Sequence, residues 1–134
     1  MAGSPQRYYD FLVESLRLIA ASAAVQKASV DEDALVMDDI TMTFAMAYPY
    51  VGQLARDGFL SHEALKTLAP IHDWIWLDVE ADVYFPESLS RHPHWANGRR
   101  LAARALNLMR EEVRPPKLDS DLCVSFDLNE RQDS

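Results

Sequence analysis

The stretch MDDITMTFAMAYPYVGQL, residues 37–54, decides the fold class. Met37, Ile40, Phe44, Ala47, Val51 and Leu54 recur at alternating spacings of three and four, which sets them along one face of an α-helix as a core-facing seam. Pro49 lies inside this pattern. It cannot donate to the carbonyl of Ala45, so a kink or break is expected there. Upstream, Ser29-Val30-Asp31-Glu32 is an S-x-x-E capping box that starts the helix. Downstream, Gly58 follows Arg56-Asp57 as a C-terminal stop.

On the N-terminal side, Ser4-Pro5 supplies a cap and a first-turn proline. Tyr8, Leu12, Leu16, Ile19 and Ala23 then form one apolar face, with Asp10, Glu14 and Arg17 turned away, and the pattern predicts one helix to about Lys27. On the C-terminal side, Ser61 caps a helix whose Leu65, Leu68, Ile75 and Val79 share a face with His72, and Pro70 either kinks or splits it. The segment 71–85 is rich in large apolar groups: Trp74, Trp76, Leu77, Tyr84 and Phe85. Pro86 ends it, and a short turn or helical piece, Glu87–Arg91, follows. Pro93 opens a last helix, expected to reach about Val113, with Trp95, Leu101, Ala102, Ala105, Leu106, Leu108 and Met109 on its apolar side. Arg99, Arg100, Arg104 and Arg110 lie opposite. Pro115-Pro116 stops it.

The result is an all-α bundle of four to five helices over residues 1–114, with residues 115–134 as a C-terminal tail. In that tail Leu122, Val124, Phe126 and Leu128 alternate with polar groups and Cys123, the period of a strand. Two outcomes stand open: an extended tail laid over the helices, or a strand that pairs with another chain.

At 134 residues the chain fits a single domain with an ordinary core. Its one cysteine cannot form an internal disulfide, which fits a reducing compartment. The N-terminus lacks the charged and apolar regions of a secretory signal, and no run is long enough to span a bilayer, so the expected location is the cytoplasm.

The formal net charge of −8 hides a sharper segregation. Residues 30–90 hold 12 acids against 2 bases, whereas residues 91–114 hold 6 arginines against 2 glutamates. Such an acidic surface repels nucleic acid and anionic lipid and attracts basic proteins. At about 100° per residue, Asp31 nearly eclipses Asp38 and Glu32 nearly eclipses Asp39, opposite the apolar seam. Met42 and Met46 share that outward side unless the helix is buried all round. Carboxylates beside flexible apolar side chains suit docking to a basic, partly apolar surface. A second acidic group is Asp73, Asp78, Glu80 and Asp82, with Trp76 among them. Asp78 and Asp82 at one-turn spacing repel each other in a helix. Either the arginine row of the last helix or a basic partner offsets them, and the internal pairing is the expected one.

Catalytic signals are weak. His72-Asp73 is the dipeptide of HD-type metal phosphohydrolases, but His62 lies too close in sequence to complete that site. His92-Pro93-His94 reads as a helix entry rather than half of a tetrahedral metal site. There is no nucleophile elbow and no glycine-rich phosphate loop. The expectation is therefore no enzyme, no metal and no cofactor.

Three stretches, FAMAYPYVGQLARDGFL (44–60), LSHEALKTLAPI (60–71) and WANGRRLAARALNLM (95–109), resemble in layout the small acidic helical proteins of bacteria that serve as immunity partners of polymorphic toxins, including contact-dependent growth inhibition systems. The resemblance spans roughly residues 30–112. It implies an inhibitor of one cognate basic toxin domain, a nuclease in particular. Charge and hydropathy add the expectation of no nucleic acid or membrane contact, and a monomer or weak dimer is expected. The partner-binding residues expected are Asp31, Glu32, Asp38, Asp39, Met42, Met46, Asp73, Trp76, Asp78, Glu80 and Asp82. The alternative is a helical regulatory or scaffold module that dimerises through its tail.

Overall fold

A computed structural model describes residues 5–28, 36–79 and 81–116, the side chains of 36–39 excepted. Its helices are α1 (Pro5–Ala20), α2 (Ala23–Ala28), α3 (Val36–Ala47), α4 (Val51–Arg56), α5 (His62–Ile75) and α6 (Pro93–Leu108). Turns of 3-10 helix occupy Tyr48–Tyr50, Ala81–Tyr84 and Pro86–Ser90. Every regular element among the described residues is helical, and the four long helices are those the apolar periodicity marks out. The tail from 117 onward and the capping box at 29–32 lie outside the described residues.

α1 is the centre of the bundle. It packs against α3 on one side and α6 on the other. Tyr8 and all of residues 11–19 are buried, so the helix has no solvent face in its middle. This corrects the outward placement of Glu14 and Arg17, although Asp10 is exposed as expected. Burying the charges is tolerable because each is answered. The Arg17 Nη1 donates to Glu14 Oε2 at 2.7 Å, and its Nε donates to the Glu112 carbonyl at 2.9 Å. Its Nη2 lies 3.4 Å from Glu111 Oε1.

The first helix also stops earlier than its periodicity suggests. Ser22 starts α2 as an N-cap, its Oγ accepting from Val25 N–H at 3.3 Å. Gln26 is buried behind the break. Its Nε2 donates to the Leu18 and Ile19 carbonyls at 3.1 and 2.9 Å. Those carbonyls belong to the last turn of α1 and have no partner within it. Gln26 Oε1 in turn accepts from Arg99 Nη2 at 3.0 Å, which ties α2 to α6. Arg99 is thus half-buried and turned inward, not ranged outside with Arg100 and Arg104.

The seam that begins at Met37 behaves as expected from Ile40 to Leu54, all five of its described side chains being buried. Pro49 is accommodated by the 3-10 turn Tyr48–Tyr50, which breaks α3 from α4. Tyr50 stacks on Tyr8 of α1 with ring centroids 4.4 Å apart. α4 ends in a Schellman turn: Phe59 N–H donates to Leu54 O and Gly58 N–H to Ala55 O, with Gly58 at φ 88°. Only glycine takes that φ without cost.

α5 begins at Ser61, whose Oγ accepts from Ala64 N–H at 3.1 Å, and it runs unbroken through Pro70. It ends at Ile75. Asp78 and Asp82 therefore do not face each other one turn apart on a helix. Asp78 lies in the connection and Asp82 in the next 3-10 turn. Ending the helix there removes the like-charge repulsion that continuing it would impose. The two 3-10 turns carry Val83 and Leu89 into the core. They also position Ser88, whose Oγ accepts from the fully buried Trp95 Nε1 at 2.9 Å.

α6 starts at Pro93 with His92 as its cap, the Nδ1 accepting from His94 N–H at 3.1 Å. It ends at Leu108, short of Val113. Arg110 adopts φ 62°, Glu111 N–H donates to Leu106 O, and Arg110 N–H donates to Asn107 O. A left-handed residue turns the chain back so that Glu111 and Glu112 reach α1. The expected apolar face holds at Trp95, Ala102, Ala105 and Leu106, while Leu108 is exposed.

Candidate partner-binding face

Sequence-predicted site residues fall into three groups. Asp31, Glu32 and Glu80 lie outside the described residues, and for Asp38 and Asp39 only the helical backbone of α3 is described. Met46 departs from expectation: it is half-buried and packs against the core, because α3 is covered on more than one side. Met42, Asp73, Trp76, Asp78 and Asp82 are exposed.

Three of these meet in one place. Met42 from α3, with Trp76 and Asp78 from the segment after α5, line an open groove of about 390 Å³ together with Thr41, Ala45, Ile75, Leu77 and Tyr84. The two elements come together because the 3-10 turn Ala81–Tyr84 folds back against α3. Trp76 is 69% exposed and Met42 50%, values unusual for such large apolar groups in a chain whose other two tryptophans are buried. Leu77, in the same groove, is exposed as well, and so is Phe85. Asp82 and Phe85 line a separate groove with Glu87, Arg91 and His92. A contiguous set of exposed apolar side chains rimmed by polar groups marks an interaction surface.

The indole of Trp76 is held in place. Its Nε1 donates to His72 Nε2 at 3.2 Å, and the His72 ring stacks on Tyr48 with centroids 4.3 Å apart. In this bond His72 Nε2 is the acceptor. This occupies the histidine of the HD dipeptide in an aromatic stack. Among the described residues no three His, Cys, Asp or Glu side chains come together to hold a metal.

Among the described residues the carboxylates of the face have no ion-pair partner. Among the described residues the ion pairs are Arg17–Glu14, Arg17–Glu111 and Arg114–Glu112. None involves Asp73, Asp78 or Asp82. The expected pairing with the arginine row of α6 fails because that row is used elsewhere. Arg99 donates to Gln26 and to the Leu89 carbonyl, and Arg100 to Asn97. Arg104 lines a different groove, of about 350 Å³, between α5 and α6 with Glu63, Lys66 and Leu101.

Two polar assemblies escaped the sequence reading. One is the cluster around Arg17, where Tyr9 Oη also donates to Glu111 Oε2 at 2.6 Å. Burial, then this bond to a carboxylate, pushes the Tyr9 hydroxyl well above its ordinary pKa. The other is His94, which stacks on Trp74 at 4.7 Å and meets Trp95 edge-on at 5.5 Å. Its Nε2 is buried and has no hydrogen-bond partner among the described residues. Burial, then the neighbouring His92, holds its pKa below the ordinary value. The one available signal was the run of aromatic residues around these positions, which periodicity assigns simply to core.

No family model, curated protein or solved structure matches the chain. No helix among the described residues is long and apolar enough to cross a membrane.

Proposed function

We propose that this chain is a protein-binding module, an immunity-type inhibitor acting in the cytoplasm on a basic toxin domain, with a nuclease as the toxin class best suited to its charge. The observation that carries this reading is that exposed Trp76, Met42 and Leu77 share a groove with Asp78, which, like Asp73 and Asp82, takes part in no ion pair among the described residues. Apolar anchors supply affinity on desolvation, and unmatched acids steer a cationic partner and reject acidic ones. Nuclease domains hold phosphates with basic side chains, so a carboxylate surface can occupy the same ground.

The test is binding to the protein encoded by the adjacent gene, for the native protein and for Asp78→Lys/Asp82→Lys. The native protein is expected to bind with an on-rate that falls as salt rises. The double reversal is expected to slow association and flatten that dependence. Unchanged affinity and unchanged salt dependence would remove these acids from the interface.

A further inference from the structure

We infer that the groove beside Trp76 receives one particular group of the partner: an arginine guanidinium carried next to an apolar side chain. This deepens the function proposed above and rests on it. Among the described residues the groove has a single ionised lining residue, Asp78, and no cation. Apart from Thr41, its other described walls are apolar or aromatic, among them Met42, Ile75, Trp76 and Tyr84.

The indole N–H of Trp76 is already engaged by His72, so the ring has no hydrogen bond left to offer a ligand. What remains is its π face, whose quadrupole attracts a cation. His72 also fixes the ring, which lowers the ordering cost of stacking on it. A guanidinium suits this site better than an ammonium. It is planar and weakly hydrated, stacks on aromatic faces, and forks onto a carboxylate such as Asp78. The methylene stem of arginine, and an apolar neighbour, find Met42 and Leu77 at the rim. The groove between α5 and α6 is a contrast of similar size. There Lys66 and Arg104 stand with Glu63, so a cation is not favoured.

The probes are three peptides, Ac-Leu-X-Leu-amide with X as arginine, lysine or citrulline, titrated into the full chain and followed by the indole N–H resonances. Trp76→Phe identifies the resonance of Trp76. The arginine peptide is expected to shift that resonance and leave those of Trp74 and Trp95 in place. Replacing arginine by citrulline, or Asp78 by Asn, is expected to weaken binding about fivefold, the range of an exposed cation–π contact and a surface ion pair. Lys66→Glu, in the other groove, is expected to change nothing. Equal binding of the arginine and citrulline peptides, or shifts away from Trp76, would overturn the inference. So would a basic partner that binds the native chain and the Trp76→Leu and Asp78→Asn variants equally well, a result that leaves the inhibitor reading standing. A basic toxin domain that does not bind at all removes that reading instead, and the peptide series then decides the guanidinium site alone.

Discussion

Gly98 of α6 lies against the indole of Trp74 on α5: a Cβ on Gly98 would stand 2.2 Å from Cζ2 of that ring. Glycine is a poor helix former, and its presence in the second turn of α6 is explained by this approach. The closeness lets Trp74 Nε1 donate to the His94 carbonyl at 2.8 Å, in the first turn of α6. Gly98→Ala is expected to destabilise the fold by about 1–3 kcal/mol, the usual cost of overpacking, despite the better helix propensity of alanine. Urea denaturation measures this. A Trp74→Phe background should make the alanine less harmful, since the offending ring atoms are gone, and an alanine that stabilises the native chain would refute the contact.

Arg110 holds a left-handed conformation at φ 62°, with its side chain exposed. Arg110→Gly is expected to stabilise by about 1 kcal/mol, because glycine adopts this conformation without a Cβ clash. The denaturation midpoint should rise while the slope stays unchanged.

The buried Arg17 answers Glu14 and Glu111 at once. Arg17→Ala removes the cation shared by Glu14 and Glu111 and is expected to cost about 3–5 kcal/mol. The paired change Arg17→Met/Glu14→Leu removes both charges and should cost distinctly less. If the single and double variants prove equally unstable, packing rather than charge dominates there.

His94 gives stability a pH dependence of defined sign. Its folded pKa lies below the ordinary 6.5 because burial penalises the charged ring. The unfolded chain therefore binds a proton that the folded chain refuses. The stabilisation is complete above 6.5 and is lost as pH falls from there toward the folded value. Urea midpoints at neutral and mildly acidic pH should converge for His94→Phe relative to the native chain. Identical pH profiles for the two proteins would show that His94 does not contribute.

Much of the helical layout was legible because it is written in local terms. The seam from Ile40 to Leu54, the cap at Ser61, the stop at Gly58 and the entry at His92-Pro93 each depend on residues within one or two turns of each other. The errors share a cause. Glu14 and Arg17 look like a solvent face until α6 and the chain after it cover them. Arg99 looks like one of a row until Gln26, 73 positions away in sequence, claims it. The candidate face was half legible. Met42, Trp76 and Asp78 stood out by type and charge, but Leu77, Tyr84 and Phe85 gave only the sign of an apolar run with no helical period.

The sequence by itself determined the all-α class, the main helix starts and several of the stops, and the imbalance of charge along the chain. Apolar period, caps and net charge are properties of neighbours, so no fold is needed to read them. Only the tertiary structure decided which helix sits at the centre, where the buried charges find partners, and that Met42 and Trp76 share a groove with Asp78, which has no ion pair among the described residues. Those depend on which surfaces other elements cover, and covering joins residues that the chain order keeps apart.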